Sequence, residues 1–113
     1  MTLLAWDAGV LVGFARVCPC RDPDLATAGE LAALYVLPST WGHGVGTQLV
    51  QAALATLRAA TFDEASLWVL DTNQSVIRFY EANGWRDDGT RKVREIAGMT
   101  VTVVRYRLRL SRP

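Results

Sequence analysis

Residues 34–47 are the segment that most restricts how this chain can fold. An apolar run and a proline are followed there by three alternating glycines, Gly42, Gly44 and Gly46. This order predicts a buried strand, a tight turn and then a helix that begins near Val45. The first backbone N–H groups of a helix have no partner within it, and the helix dipole adds about half a positive charge at that end. Since glycines leave those groups accessible, the segment predicts a binding site for a phosphate or pyrophosphate.

The remaining sequence predicts an α/β (α+β) fold built on a mixed, mostly antiparallel sheet. Hydrophobic periodicity and turn residues predict helices at residues 45–60 and 74–83 and strands at 3–6, 10–17, 30–37, 66–70, 91–96 and 100–110. Asn73 is the expected N-cap of the second helix, and Gly84 is the residue expected to end it. The predicted order is β-β-β-α-β-α-β-β, with one parallel βαβ unit at the centre of the sheet. A length of 113 residues predicts a single domain, residues 1–113.

Composition and the lack of targeting features together predict a globular protein located in the cytoplasm. Half of the residues are hydrophobic and 20% are charged, as in ordinary globular proteins. No apolar run approaches the roughly 20 residues that cross a bilayer, and the first residues lack the features of a signal peptide. Cys18 and Cys20 are expected to be loop thiols, because a metal site would need further Cys or His ligands nearby. We therefore expect a cytoplasmic location, no membrane partner and no metal.

Basic side chains gather toward the end of the chain, where Arg105, Arg107 and Arg109 alternate with apolar residues. In a strand this alternation places the arginines on one face. We expect that face to be exposed to solvent. A nucleic-acid partner is not expected, because there is no interleaved aromatic stacking platform and no nucleic-acid-binding motif.

Two other kinds of phosphate site fit the glycine segment less well. A P-loop requires a lysine after the last glycine, whereas this chain has Gly46-Thr47-Gln48. A dinucleotide-binding fold requires a further glycine where Thr47 stands, and it needs more than one βαβ unit. Asp71, which follows the strand at 66–70, matches the acidic residue of that fold. A dinucleotide-binding domain therefore stays a poorer alternative.

Two groups of residues together resemble the GNAT superfamily of acyl-CoA N-acyltransferases. Gly44 and Gly46 match the glycines of the family's Arg/Gln-x-x-Gly-x-Gly/Ala pyrophosphate loop. The family's later pattern, an asparagine and then a helix ending Phe/Leu-Tyr-Glu-x-x-Gly-Phe, is matched by Asn73, Phe79, Tyr80, Glu81, Gly84 and Trp85. Both groups occur in the family's order and spacing, and the resemblance covers about residues 3–110. Trp41 departs from the pattern, because the family usually has Arg or Gln at that position.

The resemblance implies transfer of an acetyl group from acetyl-CoA to a primary amine of a small molecule or peptide, by direct attack in a ternary complex. Acetyl-CoA, the co-substrate, would be bound by Leu34, Tyr35, Val36, Trp41, Gly42, His43, Gly44, Val45, Gly46, Thr47, Asn73, Val76 and Tyr80. The strand at 34–36 would give a backbone N–H to the thioester oxygen, and the amides of residues 42–47 would hold the pyrophosphate. Tyr80 is implied as the acid for the departing thiolate.

Glu30 is the candidate general base. It heads the central strand and, by alternation, is expected to share the face of Ala32, Leu34 and Val36. His43 is the alternative base, although it is expected to face solvent beside the phosphates. The sequence begins at what resembles the family's second strand, and the segments that usually shape the acceptor pocket are not found in it. A non-catalytic acetyl-CoA-binding module, or one half of an assembly, is therefore the alternative to an enzyme. The sequence does not predict the oligomeric state, and a homodimer is one of the alternatives.

Overall fold

Six strands and two helices follow one another in the predicted order in the computed structural model, which describes residues 1–110. The strands are β1 (Thr2–Asp7), β2 (Val10–Pro19), β3 (Gly29–Val36), β4 (Glu64–Leu70), β5 (Arg86–Ile96) and β6 (Met99–Arg109), and the helices are α1 (Val45–Ala59) and α2 (Gln74–Ala82). The mixed α+β class and the order β-β-β-α-β-α-β-β are confirmed. The last three residues of the predicted domain, 111–113, lie outside the described residues.

The strands form one sheet in the order β1-β2-β3-β4-β6-β5. Neighbouring strands are antiparallel except β3 and β4, which are parallel and are connected through α1. Within the described residues this parallel pair is short, because only Gly29 with Ala65 and Glu30 with Ser66 face one another across it. Beyond Glu30 the two strands separate, which leaves a cleft at the centre of the sheet. The cleft opens toward the carboxyl ends of β3 and β4, where open sheets place their ligands.

Both helices pack on the same face of the sheet. α1 buries Leu49, Val50, Ala53 and Leu57, which recur at the spacing of an amphipathic helix. The core formed on this helix side also contains Ala15, Val17, Leu31, Leu67, Val69, Tyr80, Trp85, Val104 and Tyr106. The opposite face carries no α-helix within residues 1–110, and we call it the open face. None of the helices described is long and apolar enough to span a membrane.

A β-bulge at Ala32 interrupts the regular pairing of β3. Opposite β2, Leu31 pairs with Val17 and Ala33 pairs with Arg16, so Ala32 is an extra residue without an opposite partner. An extra residue of this kind bends the strand and disrupts the ladder locally. The bulge lies two residues beyond Glu30, the last position at which β3 pairs with β4, and it therefore marks the base of the cleft.

The bulge overturns the prediction that Glu30 shares a face with Leu34 and Val36. Leu34 pairs with the fully buried Ala15, and it packs with Val36 against the helix-side core. Glu30 is next to Leu31, which belongs to that core, so its side chain lies on the open face. Because faces alternate with a period of two, one inserted residue moves every later side chain to the other face. Nothing in the sequence pattern of β3 indicates where that residue is inserted.

The loop between β2 and β3 lies against the open face and is fixed there by Arg105 of β6. The buried guanidinium of Arg105 lies 2.7 Å from Asp24 Oδ2, 2.7 Å from Asp88 Oδ2 and 3.2 Å from Asp22 Oδ2. The prediction of a solvent-exposed arginine face is therefore wrong at Arg105. Two of the carboxylates precede it by 81 and 83 positions, so local alternation could not reveal them.

Candidate active site

The amino end of α1 is open to an incoming anion. α1 begins at Val45, as predicted, and Gly44 is its N-cap. Gly42 and Gly44 have φ values of 84° and 83°, a left-handed conformation that favours glycine. Among the described residues no side chain caps this end, and its first turn contains no acidic residue. A Cβ added to either glycine would meet nothing within 4 Å, so the free N–H groups are accessible.

Trp41 and His43 are the exposed aromatic side chains of this loop. Trp41 Nε1 donates a hydrogen bond of 2.8 Å to the carbonyl oxygen of Val36, which ties the loop to the end of β3. The indole has a single N–H, so Trp41 has no second donor for a phosphate. Anion contacts at this loop would therefore come from backbone N–H groups. His43 is exposed, as expected from the sequence.

Gly46 lies where α1, β3 and α2 converge. A Cβ added to Gly46 would lie 3.7 Å from Val36 Cγ2 and 3.9 Å from the ring of Phe79. The amino end of α1, the carboxyl end of β3 and one face of α2 therefore meet at a single place on the helix side. These are the elements that carry the residues predicted to bind acetyl-CoA.

The β3 edge of the cleft has unpaired backbone groups. Beyond Glu30, within the described residues, the N–H and C=O groups of β3 that are directed at β4 have no strand partner. Leu34 and Val36 are half-buried on the helix side, whereas Tyr35 is on the open face and stacks with Phe14 at a ring separation of 6.0 Å. An extended amide-containing ligand can pair with such an edge as an added strand does.

Tyr80 lies on the helix side near the carboxyl end of α2. Its side chain is 5% exposed, and its ring packs edge-on against Phe79 and Trp85, with centroids 5.3 and 5.7 Å away. Burial raises the pKa of Tyr80 to about 12. The phenol is therefore protonated at neutral pH and is able to donate a hydrogen bond.

Asn73 and Val76 are half-buried at the beginning of α2. Asn73 occupies the N-cap position, as predicted, but its side chain does not cap the helix. Its Oδ1 instead accepts a hydrogen bond of 3.4 Å from Ser75 Oγ. The backbone N–H of Asn73 donates to the carbonyl oxygen of Leu70 at 3.1 Å, which fixes the start of α2 against the end of β4.

Glu30 lies on the open face at the base of the cleft. Its side chain is 3% exposed, and Oε2 accepts a hydrogen bond of 2.8 Å from Arg21 Nη2, while Oε1 accepts one of 3.2 Å from the Arg21 backbone N–H. Glu30 lines a pocket of about 220 Å³, which we call the open-face pocket. Ala32 of β3, Trp68 of β4 and Arg94 of β5 also line it.

The predicted site residues are thus divided between the two faces of the sheet. The glycine loop, Asn73, Val76 and Tyr80 are on the helix side, and Glu30 is on the open face. The cleft between β3 and β4 connects the two sides. A group held in the cleft can be contacted by a hydrogen-bond donor from one side and by a nucleophile with its base from the other. This arrangement suits direct transfer of a group between two bound molecules.

The two cysteines are free. Cys18 lies in β2 rather than in a loop, and the buried Cys20 sulfur accepts a hydrogen bond of 3.3 Å from Ser66 Oγ. Within residues 1–110, His, Cys, Asp and Glu side chains form no group of three or more that could hold a metal ion.

Comparison with known proteins identifies the family to which this chain belongs. A family model described as the acetyltransferase (GNAT) family matches residues 1–85. The chain belongs to the GNAT acetyltransferase family. It is 36% identical over 94 residues to an uncharacterized N-acetyltransferase of Mycobacterium tuberculosis, a match that covers 81% of this chain and 56% of that protein. The GNAT chain thus spans about half the length of that relative.

Solved structures show the same GNAT fold. A ribosomal-protein-alanine N-acetyltransferase from Brucella melitensis superposes with a TM-score of 0.83 at 21% identity, over 96% of this chain and 68% of that one. The protein yncA from Salmonella typhimurium, solved with its cofactor acetyl-CoA, superposes with a TM-score of 0.81 at 18% identity, over 99% and 65% of the two chains. At these identities the likeness establishes the fold alone.

The sequence did not predict several features of the candidate site. The bulge at Ala32 has no sequence signal, and the pairing of Arg21 with Glu30 joins two elements that the sequence leaves separate. Arg94 and Trp68 were also missed as lining residues of the open-face pocket. Their placement could have been found only by assigning the register of β4, β6 and β5 correctly.

Proposed function

We propose that this chain catalyses transfer of an acetyl group from acetyl-CoA to a primary amine of a small molecule or peptide. The observation that carries the proposal is the convergence of three features on one cleft. They are the uncapped amino end of α1, the unpaired edge of β3 and the α2 face that holds the protonated phenol of Tyr80. Membership of the GNAT family supports the same activity.

The residues present fit the parts of acetyl-CoA. Backbone N–H groups of residues 42–47 would hold its pyrophosphate, without a side-chain contribution from Trp41, whose N–H is bonded to Val36. The free β3 edge at 34–36 would bind the amide-containing arm as an added strand, and Asn73 and Val76 would line the same path. Acetyl-CoA supplies the activated thioester.

The chemistry we propose is direct attack by the amine nitrogen on the acetyl carbonyl carbon, so that a C–N bond forms and the C–S bond breaks. An N–H group of the free β3 edge donates to the carbonyl oxygen as negative charge develops on it. Tyr80 donates a hydrogen bond to the departing sulfur from the helix side. Glu30, on the open face, accepts the proton that the amine loses, directly or through a water molecule.

Calorimetric titration with acetyl-CoA tests the binding half of this proposal. The chain should bind acetyl-CoA saturably, and Gly44→Glu should abolish binding, because it adds a negative charge and a side chain where the phosphates would lie. Gly89→Glu is the matched control. Gly89 also has a left-handed φ, 86°, and open space around it, but it lies in β5, away from the cleft. Binding that survives Gly44→Glu, or is lost equally in both variants, would contradict the assignment of the loop.

Release of the free thiol from acetyl-CoA in the presence of a panel of amines tests the catalytic half. Amine-dependent release is the expected result. Saturable binding of acetyl-CoA with no release for any amine would instead identify a cofactor-binding module that does not catalyse transfer. Binding of NAD(H) in place of acetyl-CoA would favour the dinucleotide alternative.

A further inference from the structure

The open-face pocket contains two arginines with different partners. Arg21 forms an ion pair of 2.8 Å with Glu30. Arg94 has no carboxylate partner within residues 1–110, and its guanidinium carbon lies 5.9 Å from the centre of the Trp68 ring. The neighbouring cation on the same strand, Lys92, is 3.6 Å from an aspartate oxygen. Arg94 is therefore the lining cation of this pocket whose charge is not matched within the described chain.

Trp68 forms a fixed aromatic platform that Arg94 shares with two other cations. Lys92 Nζ lies 4.6 Å from the ring centre, and the guanidinium carbon of Arg105 lies 5.6 Å from it. Trp68 Nε1 donates a hydrogen bond of 3.0 Å to Asp22 Oδ2, and Asp22 is buried beside Arg105. A guanidinium over an aromatic ring is attracted by the ring face and keeps its N–H donors available at its rim. The platform thus restricts the position of Arg94 without occupying its hydrogen-bonding groups.

The charge balance of the pocket favours an anion beside the amine. Glu30 is matched by Arg21, so the unmatched charge of Arg94 makes the lining positive. A planar guanidinium binds a carboxylate in a bidentate manner, which fixes orientation as well as position. The volume of about 220 Å³ is smaller than the roughly 300–1,000 Å³ typical of drug-sized ligand sites, so the occupant is small.

We propose that the acceptor is a small amine that also carries a carboxylate, such as an amino acid, with the carboxylate bound by Arg94 and the amine directed toward Glu30. Trp68 would contact the apolar part between the two groups. This inference rests on the proposed acetyltransferase function, because it takes the open-face pocket as the acceptor side. It makes Arg94 a residue that determines acceptor specificity rather than one that takes part in the transfer.

The test compares α-, β- and γ-amino acids with their carboxamides as acceptors for the full chain and for Arg94→Gln. Loss of a charge-assisted carboxylate contact should raise KM for the preferred acid by about 10–100-fold. Neither kcat nor KM for acetyl-CoA should change, and KM for the carboxamide should change by less than about threefold. Comparing the two forms of the protein cancels the intrinsic difference in basicity between each acid and its amide.

Arg86→Gln is the matched control, since Arg86 is an exposed arginine on the same strand that lines a different surface depression. It should leave the acid preference intact. Equal effects of Arg94→Gln on acids and amides would overturn the inference while leaving the acetyltransferase proposal standing.

A binding measurement keeps the inference testable if no amine is acetylated. The same acids and amides are then titrated calorimetrically into the chain in the presence of coenzyme A. Tighter binding of an acid than of its amide, lost in Arg94→Gln, would support the anion site although the proposed catalysis had failed. Absence of any such difference across the panel would overturn the inference.

Discussion

At the scale of single residues, Tyr80 illustrates how burial prepares a side chain for the proposed chemistry. Its phenol has a pKa of about 12, whereas an ordinary thiol has a pKa of about 8.5. In the free chain Tyr80 is therefore protonated and acts as a hydrogen-bond donor. It would stabilise a departing thiolate chiefly through that hydrogen bond rather than by giving up its proton. The sequence motif predicted the residue, but only the packing of Phe79 and Trp85 around it explains the raised pKa.

Replacement of Tyr80 by Phe should lower kcat by about 10²–10⁴-fold and leave the Kd for acetyl-CoA within a factor of about two. Only the hydroxyl is removed, so the packing against the core is preserved. Tyr106→Phe is the control, because Tyr106 is also buried and its hydroxyl donates a 3.0 Å hydrogen bond to Glu81. It should lose about 0.5–1.5 kcal/mol of unfolding free energy and keep its turnover. Equal loss of kcat in both variants would remove Tyr80 from its proposed role.

The raised pKa of Tyr80 also predicts a specific alkaline instability. Between the ordinary pKa of about 10 and the folded value of about 12, the unfolded chain binds fewer protons than the folded one. The contribution of Tyr80 is fully present below pH 10 and is lost as the pH rises through 12. Urea unfolding measures the free energy of unfolding at pH 9 and at pH 12. The decrease between the two pH values should be larger by about 2–3 kcal/mol in the unmodified chain than in Tyr80→Phe. Parallel losses in the two proteins would contradict the burial argument.

At the scale of the elements, regular strands and helices were predictable, whereas the loop on the open face was not. The helix after the glycines begins at Val45 as predicted, because its apolar spacing and its glycines are local signals. The loop between β2 and β3 is ordered instead by Arg105, which holds the pKa of Asp24 at about 2 through a side-chain hydrogen bond. That contact joins distant parts of the chain, and local patterns contain no information about it.

Arg105→Met should destabilise the fold by about 3 kcal/mol, the lower end of the range for a broken buried ion pair. It removes the cation closest to the largely buried carboxylates of Asp22 and Asp88. Their remaining ion pairs within residues 1–110 are the 3.6 Å contacts with Lys92 and Arg107. Urea unfolding measures the free energy, and faster proteolysis within residues 20–28 would locate the effect. Arg109→Met is the control at an exposed position on the same strand and should cost less than about 0.5 kcal/mol. A similar cost at both positions would show that the buried network does not hold the loop.

At the scale of the whole molecule, strand pairing in the sheet is interrupted at its centre, between β3 and β4, rather than at its edges. The sequence predicted a central βαβ unit, and this was confirmed. It did not predict that β3 and β4 pair at only two positions, since pairing length depends on the bulge and on strand twist. Because the bulge was not predicted, Glu30 was assigned to the wrong face, although it was placed correctly at the head of the strand.

Hydrogen exchange measured for individual amides should detect this interruption. In residues 33–36, the amides directed at β4 should exchange at least about tenfold faster than those bonded to β2. Acetyl-CoA should slow the fast set and leave unchanged the amides of the β6 residues that are paired on both sides, which are Val103, Val104, Tyr106 and Arg107. Uniform protection along β3, or no response to acetyl-CoA, would contradict the free edge that the proposed function uses.

The extra residue at Ala32 makes the length of β3 more constrained than its composition. Conservative substitutions between residues 33 and 36 can keep each side chain directed to its present side. Deletion of Ala32 would instead restore regular pairing with β2, keep Leu34 and Val36 on the helix side, and remove the bend that marks the base of the cleft. In the evolution of such a strand, gaps in an alignment at this point should therefore be rarer than changes of residue type.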